Sequence, residues 1–487
     1  MMMKTKTTGR KILFAAGEAA PFITTGGLGE VVGALPKSLC KVGDSVDVRV
    51  VLPLYEEIAA KFRGAINFFG EIYVDLGWRH QYCGIFTAKA GEITYYFIDN
   101  EYYFKRAGCY GFFDDGERFA FFCRAVLDIL EAIDFIPDII HAHDWQAALV
   151  PVYLAASYFG REKFKNIKTV FTIHNMEYQG KYSMDILEDI FDISYKYKHI
   201  LEFDGGINLM KGAIICSDRV STVSPAYAEE IHDPDLACGL APIINLETNK
   251  IRGILNGIDT TSYDPGNDPK IFLGYDSGSI EKKSGNKSYL QEITGLRKER
   301  NVPVIAMITR LTKQKGLDLV LGAMEQIMAT ALQFVIMGGG DREYELGFEQ
   351  FARRFPEKMS AYIGFDPDFA RRIYAGADMF LMPSKFEPCG LGQMMAARYG
   401  AVPIVRKTGG LKDSIWPYDE INESGNGFVF DDYSIEALTD ALWKALALYG
   451  DGRKWANLTK RAMESDFGWD RSAREYIKMY DELLEKK

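Results

Sequence analysis

Two doubly wound α/β domains, facing each other across a cleft, are the architecture this chain predicts. Three observations lead there. Short apolar runs rich in Val, Ile and Phe alternate with amphipathic helical patterns, the same grammar repeats in the second half, and 487 residues exceed one ordinary hydrophobic core. Strand followed by helix, repeated, builds a parallel sheet covered on both faces, and ligands then bind beyond the carboxyl ends of its strands.

In chain order, the runs "KILFAA", "VDVRVVLP", "ITYYFID", "PDIIHAHD", "KTVFTIHN" and "RVSTVS" read as buried strands of the first half. Between them, "GEVVGALPKSL" and "ERFAFFCRAVLDILEAI" place apolar residues every three or four positions, the period of a one-sided helix. The second half continues with "VPVIAMITR", "LQFVIMGGG", "SAYIGF", "DMFLMPS", "AVPIVRKTGG" and "NGFVFD". Gly, Asn, Asp and Pro crowd together in "IRGILNGIDTTSYDPGNDPK", which sets the joint near Ile251. The expected domains are therefore residues 11–250 and 251–465, with 466–487 a charged amphipathic helix able to pack on either, including back on the first.

Composition removes several function classes. A formal charge of −10 and a pI near 5.4, spread along the chain, argue against nucleic acid or an anionic membrane as partner. The opening "MMMKTKTTGR" is polar with no apolar segment after it, and no run approaches the ~20 residues of a membrane span, so a cytoplasmic protein is expected. Seven cysteines, scattered and without a Cys-x-x-Cys pair, signal neither a disulfide framework nor a zinc site.

Four groups of residues carry chemistry. A Thr-Gly-Gly-Leu turn occurs twice, in "FITTGGLGE" with Thr24, Gly26, Gly27 and Glu30, and in "VRKTGGLKD" with Thr408 and Gly409. Glycines there free the backbone for positive φ and let amides approach an anion, although a plain strand-to-helix turn needs the same residues. In "TRLTKQKGLDL", Arg310 and Lys315 lead from a strand into a helix, positioned to neutralise a diphosphate or to form a solvated charged loop. In "SKFEPCGLGQ", Glu387 precedes Pro388, which suits a first helical turn. The amides of Cys389, Gly390 and Leu391 would then project from a helix start, with Glu387 either a sugar ligand or a cap. "HAHDW" and "TIHN" put His141 and His143 on one strand face and His174 at a strand end, where it suits a sugar hydroxyl better than a metal. Two Asp-x-Asp sequences, at Asp233 to Asp235 and Asp366 to Asp368, both enclose Pro and read as turn or helix-start chemistry, so no catalytic metal is expected.

The combination of "TGGLGEVVGALPKSL", "HAHDWQAALVP", "FTIHNMEYQG", "VSTVSPAYAEEI", "LNGIDTTSYDP", "TRLTKQKGLDL", "PSKFEPCGLGQ" and "RKTGGLKDSI" resembles bacterial glycogen synthase and plant starch synthase, from about Lys11 to the final helix. The resemblance implies the glycosyltransferase B fold, two Rossmann-like domains with the active site between them. It implies metal-independent, retaining transfer of glucose from ADP-glucose, a substrate and not a cofactor, to the 4-hydroxyl at the non-reducing end of an α-1,4-glucan. Carried over by motif, Arg310 and Lys315 bind the donor diphosphate, Glu387 and His174 serve the anomeric centre, and Asn256 meets the donor sugar. Phe365 takes the place of the ring that stacks on adenine, and Asp144 and Trp145 line the acceptor side.

The family's first motif normally reads Lys-Thr-Gly-Gly-Leu, and Thr24 stands here where the lysine would; Glu30 stands where Asp is usual. These departures leave three readings: an active synthase with a modified motif, a related synthase using UDP-glucose or another acceptor, and a weakly active or inactive glucan-binding paralogue.

Overall fold

The computed structural model describes residues 9–485. They form two compact units, one running to Asn256 and resumed from Trp469 onward, the other Gly257–Gly468. Residues 1–8 of the polar opening, on which the expectation of a cytoplasmic protein partly rests, lie outside the described residues, as do Lys486 and Lys487.

The first unit is built on nine strands: β1 (Arg10–Ala15), β2 (Val46–Pro53), β3 (Asn67–Leu76), β4 (Arg79–Ala90), β5 (Ile93–Asp99), β6 (Ile139–His143), β7 (Lys168–Ile173), and, after a small sheet of β8 (Lys181–Tyr182), β9 (Glu202–Phe203) and β10 (Gly206–Asn208), β11 (Arg219–Thr222) and β12 (Ile251–Gly253). The order is β12-β11-β7-β6-β1-β2-β5-β4-β3. All pairs from β12 to β5 are parallel, and their strands are almost wholly apolar because helices cover both faces.

The sheet is longer than expected and not wholly parallel. β4 runs antiparallel to β5, and β3 antiparallel to β4, as a hairpin turning at Gly77 with φ +60°. Its pattern is different in kind: Val74 and Leu76 are buried while Tyr73 and Asp75 are exposed, the two-residue alternation of a strand with one wet face. Continuous apolar runs do not reveal such strands.

The helix Trp469–Glu485 completes this unit. It buries Tyr476, Met479, Tyr480 and Leu483 and adds ion pairs Arg10–Asp481 at 2.6 Å and Lys41–Asp470 at 2.7 Å. Partly exposed pairs of this sort contribute at most ~1 kcal/mol each, whereas one fully buried large apolar side chain contributes roughly 1.5–3 kcal/mol, so apolar packing decides the docking. Tyr480 also shares a 2.8 Å hydrogen bond with His141 Nδ1 in β6.

The second unit holds six strands, all parallel: β13 (Val304–Ile308), β14 (Gln333–Gly338), β15 (Met359–Ile363), β16 (Met379–Met382), β17 (Val402–Arg406) and β18 (Phe428–Phe430), in the order β15-β14-β13-β16-β17-β18. Leu317, Val320, Met324, Phe334, Ile404 and Leu442 are among its core residues. Each sheet has a switch point where the winding reverses, between β1 and β6 in the first and between β13 and β16 in the second. That is where a doubly wound sheet opens a crevice at its carboxyl edge. All seven cysteines are free thiols. Among the described residues no helix is long and apolar enough to cross a membrane.

Candidate active site

At the switch point of the first unit, β1 is followed by Glu18 and the first Gly-Gly turn, and β6 by Asp144. Glu18 is 3% exposed and gathers three donors: the Thr25 amide, the Thr25 hydroxyl at 2.7 Å and the Tyr110 hydroxyl at 2.9 Å. It fixes the turn from which the helix Gly27–Val42 starts, with Glu30 in its first turn. Gly26 has φ −169°, extended backbone open to any residue, and Gly27 is already helical; the positive φ expected of this pair is absent. What the glycines leave is room, since a Cβ on either would meet nothing within 4 Å. Thr24 is exposed beside them.

Asp144 takes φ +54°, a left-handed conformation that a non-glycine residue holds only at a cost. The strain aims its carboxylate at the next strand end, where Oδ1 accepts the His174 amide at 2.7 Å. His174 Nε2 lies 3.0 Å from Nδ1 of His143, and Phe14 stacks on His143 at 5.0 Å. Burial raises the Asp144 carboxyl to about 7, against the pull of the His174 and Asn175 amides, and lowers His174 to about 3. Burial likewise holds His141 and His143 well below the usual imidazole range. Trp145 is half-buried, edge-on to Phe119 at 5.0 Å. Asn256 is 5% exposed with a buried, unpartnered Oδ1, and leaves from the edge strand β12, three strands from β6.

These shifts set a pH dependence. Imidazoles kept neutral in the fold bind fewer protons than in the unfolded chain, so His174 removes stability as pH falls from about 6.5 toward about 3, with His141 and His143 acting in the same sense. Asp144 opposes them: its folded carboxyl keeps a proton up to about 7, the unfolded one releases it near 3.8, and stability drops as pH rises through that window. Three groups outweigh one. Calorimetry is expected to show a lower Tm at pH 5 than at pH 7. Asp144→Asn, which tolerates the left-handed backbone and still accepts the His174 amide, should raise Tm at pH 8 and steepen the acid loss; equal Tm values at pH 8 would refute this.

At the switch point of the second unit, β13 leads to Arg310 and Lys315, and β16 to Ser384 and Glu387. Lys315 Nζ and Ser384 Oγ both donate to Oε2 of Glu387, at 2.7 and 2.9 Å, with the two charged side chains 13% and 7% exposed. Arg310 is exposed on the same loop. The expected helical turn at Glu387–Pro388 does not form. Gly390 takes φ +69°, Gln393 Nε2 donates to the carbonyls of Cys389 and Gly390 and to Ser414 Oγ, and the helix begins only at Gly392. The loop carrying Cys389, Gly390 and Leu391 is thus knotted by a glutamine and is not capped as a helix.

The second Gly-Gly turn differs from the first. Thr408 is 3% exposed; Gly409 has φ +43°, and a Cβ there would lie 2.0 Å from the Glu387 carbonyl oxygen. One on Gly410 would lie 2.2 Å from that of Cys389, and Gly410 donates its amide to the Glu387 carbonyl at 3.1 Å. These glycines exist for close packing under Glu387. Lys407, the residue Thr24 replaces in the first copy, pairs with Asp431 at 3.0 Å. Phe365, beyond β15, is 70% exposed. Asp366 accepts the amides of Asp368 and Phe369 as a helix cap, and Asp233 accepts that of Asp235, so both Asp-Pro-Asp sequences are turn chemistry.

A family profile described as the starch synthase catalytic domain matches residues 11–246, and one described as glycosyl transferases group 1 matches 291–462. The glycogen synthase of Anoxybacillus flavithermus is 47% identical over 97% of this chain and 98% of its own, and that of Clostridium botulinum 48% over 97% and 99%. The chain belongs to the glycogen and starch synthase family. It is a glycosyltransferase with the two domains of the glycosyltransferase B fold. The catalytic domain of starch synthase IV from Arabidopsis thaliana, solved bound to ADP and acarbose, superposes with a TM-score of 0.92 at 32% identity, covering 98% of this chain and all of that one. Sucrose-phosphate synthase from Thermosynechococcus elongatus shares the fold, with a TM-score of 0.61 at 16% identity. Within this family member, sequence reasoning missed Glu18, Ser384, Gln393 and Ser414. Ser384 and Gln393 stand inside a motif that was singled out, while the partners of Glu18 lie as far off as Tyr110.

Proposed function

We propose that this synthase transfers glucose from ADP-glucose to the 4-hydroxyl at the non-reducing end of an α-1,4-glucan, with retention of configuration. The observation that carries the reading is the Lys315–Glu387 pair, set at the carboxyl ends of the two strands that flank the switch point of the second unit. The bond from the anomeric carbon to the diphosphate breaks, and the bond to the acceptor O4 forms. The O4 proton leaves with the diphosphate. Arg310 and Lys315 take the charge that grows on the leaving ADP, and no metal ion enters the proposal.

Glu387 steadies the positive anomeric carbon. Both donors fall on its Oε2, which leaves Oε1 for the sugar. His174, too weak a base to be charged near neutrality, offers its ring or carbonyl to a glucose hydroxyl. Thr24, Gly26, Gly27, Glu30, Asn256, Phe365, Thr408, Gly409 and the amides of Cys389, Gly390 and Leu391 are proposed as donor ligands on the strength of the family motifs they occupy. Asp144 and Trp145 line the acceptor side. The ADP held by the Arabidopsis enzyme supports an adenosine diphosphate leaving group.

Purified protein given maltoheptaose and ADP-glucose is expected to yield longer maltooligosaccharides whose new anomeric proton has the α coupling by NMR, with UDP-glucose much poorer. A β-configured product, or UDP-glucose preferred, would overturn the proposal.

A further inference from the structure

Two neighbouring parallel strands of the first unit, β6 and β7, are joined at their carboxyl ends by a pair of imidazoles. His143 is the last residue of β6 and His174 the first after β7. The His143 ring is fully buried and packs on Phe14, stacked at 5.0 Å, and on His141, stacked at 4.2 Å. His141 is itself held, with Nδ1 2.8 Å from the Tyr480 hydroxyl and Nε2 2.5 Å from that of Thr172, so both its nitrogens are spent. These contacts set the plane of His143, whose Nδ1 meets His174 Nε2 at 3.0 Å.

That hydrogen bond has two arrangements. Burial keeps both rings neutral near pH 7, so each carries one proton. If His174 donates from Nε2, His143 Nδ1 accepts, and the His143 proton must then sit on Nε2. This nitrogen is buried with no hydrogen-bond partner among the described residues, so an N–H would be stranded there. Protein interiors leave a donor stranded more rarely than an acceptor. If His143 donates from Nδ1 instead, its Nε2 is a bare lone pair and His174 Nε2 accepts. The His174 proton is then on Nδ1.

We propose that His143 is a positioning residue: by donating Nδ1–H to Nε2 of His174 it holds that ring as the Nδ1–H tautomer, which meets the sugar as a hydrogen-bond donor. The proposal rests on the reading that His174 serves glucose, and it narrows that reading from ring or carbonyl to one N–H. His143 acts only through His174. Asp144 Oδ1 takes the His174 amide at 2.7 Å and fixes its backbone, while His143 fixes the ring and its proton. Without the second restraint the ring would turn and would present a bare nitrogen part of the time, an arrangement that binds a hydroxyl only as acceptor.

The test is NMR of the full chain with its six histidines labelled with nitrogen-15, recorded at pH 7.5 without any sugar nucleotide, and with His174→Gln to assign the His174 ring. In the parent, His174 and His143 are each expected to carry the proton on Nδ1. His143→Phe keeps a ring against Phe14 and His141 but removes the bond, so the His174 signals should move toward the Nε2–H form. Its kcat/KM with ADP-glucose should fall about three- to tenfold, the scale of one neutral hydrogen bond, without loss of Tm. A His174 proton on Nε2 in the parent would overturn the proposal, as would unchanged His174 signals in His143→Phe. The parent spectrum decides the tautomer even if that variant fails to fold. Because the spectrum needs no sugar, a chain with this tautomer that transfers no glucose from ADP-glucose would sink the catalytic reading and leave the assignment of the proton standing.

Discussion

Glu387→Gln is expected to lower kcat/KM by on the order of 10²–10³-fold with little loss of stability, the scale on which removing one preorganised electrostatic group slows an enzyme. The amide still accepts from Lys315 and Ser384, so the loop keeps its shape while the negative charge is lost. What disappears is the field opposite the developing cation. Lys315→Met works differently. It strands a carboxylate that is only 7% exposed, and breaking a buried pair from one side costs about 3–5 kcal/mol, so both Tm and rate should fall. Because the two side chains touch at 2.7 Å, the double variant should be less damaged than the sum of the singles. Initial rates and calorimetry on the three proteins check this; additive losses would separate the pair into unrelated roles.

The second large effect contrasts the two glycine turns. Gly410→Ala places a Cβ 2.2 Å from the Cys389 carbonyl oxygen, with further Cys389 backbone atoms at 2.4 and 2.7 Å, none of which is a flexible side chain. The loop beneath Glu387 must shift, and a loss of more than about 3 kcal/mol with near-complete loss of activity is expected. Gly26→Ala meets nothing within 4 Å and needs no unusual φ, so stability should stay within about 0.5 kcal/mol of the parent. Any fall in its activity then reports a ligand passing close to that backbone. Equal destabilisation by the two changes would refute the difference between a packing turn and an open one.

That difference was not legible in the sequence, where the turns look alike. Whether a glycine is needed for φ, for room or for packing depends on what lies across from Gly26 or Gly410, and short motifs do not carry that information. The parallel strands were legible because burial on both faces demands continuous apolar runs such as "VFTI", whereas β3 and β4, wet on one face, hid in alternation. Glu387 and Lys315 were found as residues, but the Pro after Glu387 suggested a helix that Gly390 and Gln393 prevent. Glu18 left no local trace because its role is made by Thr25 and, 92 residues on, Tyr110.

The central claim is that this chain is a working glucan synthase in which Thr24 stands where a phosphate-binding lysine is usual. Its most direct test is incorporation of labelled glucose from ADP-glucose into glycogen by the unmodified protein beside Thr24→Lys. A charge-assisted bond contributes roughly 1.5–3 kcal/mol, so the account predicts clear incorporation by the unmodified chain, with KM for ADP-glucose lowered about 10- to 100-fold by the lysine. No incorporation by the unmodified chain, with activity appearing only in Thr24→Lys, would contradict it.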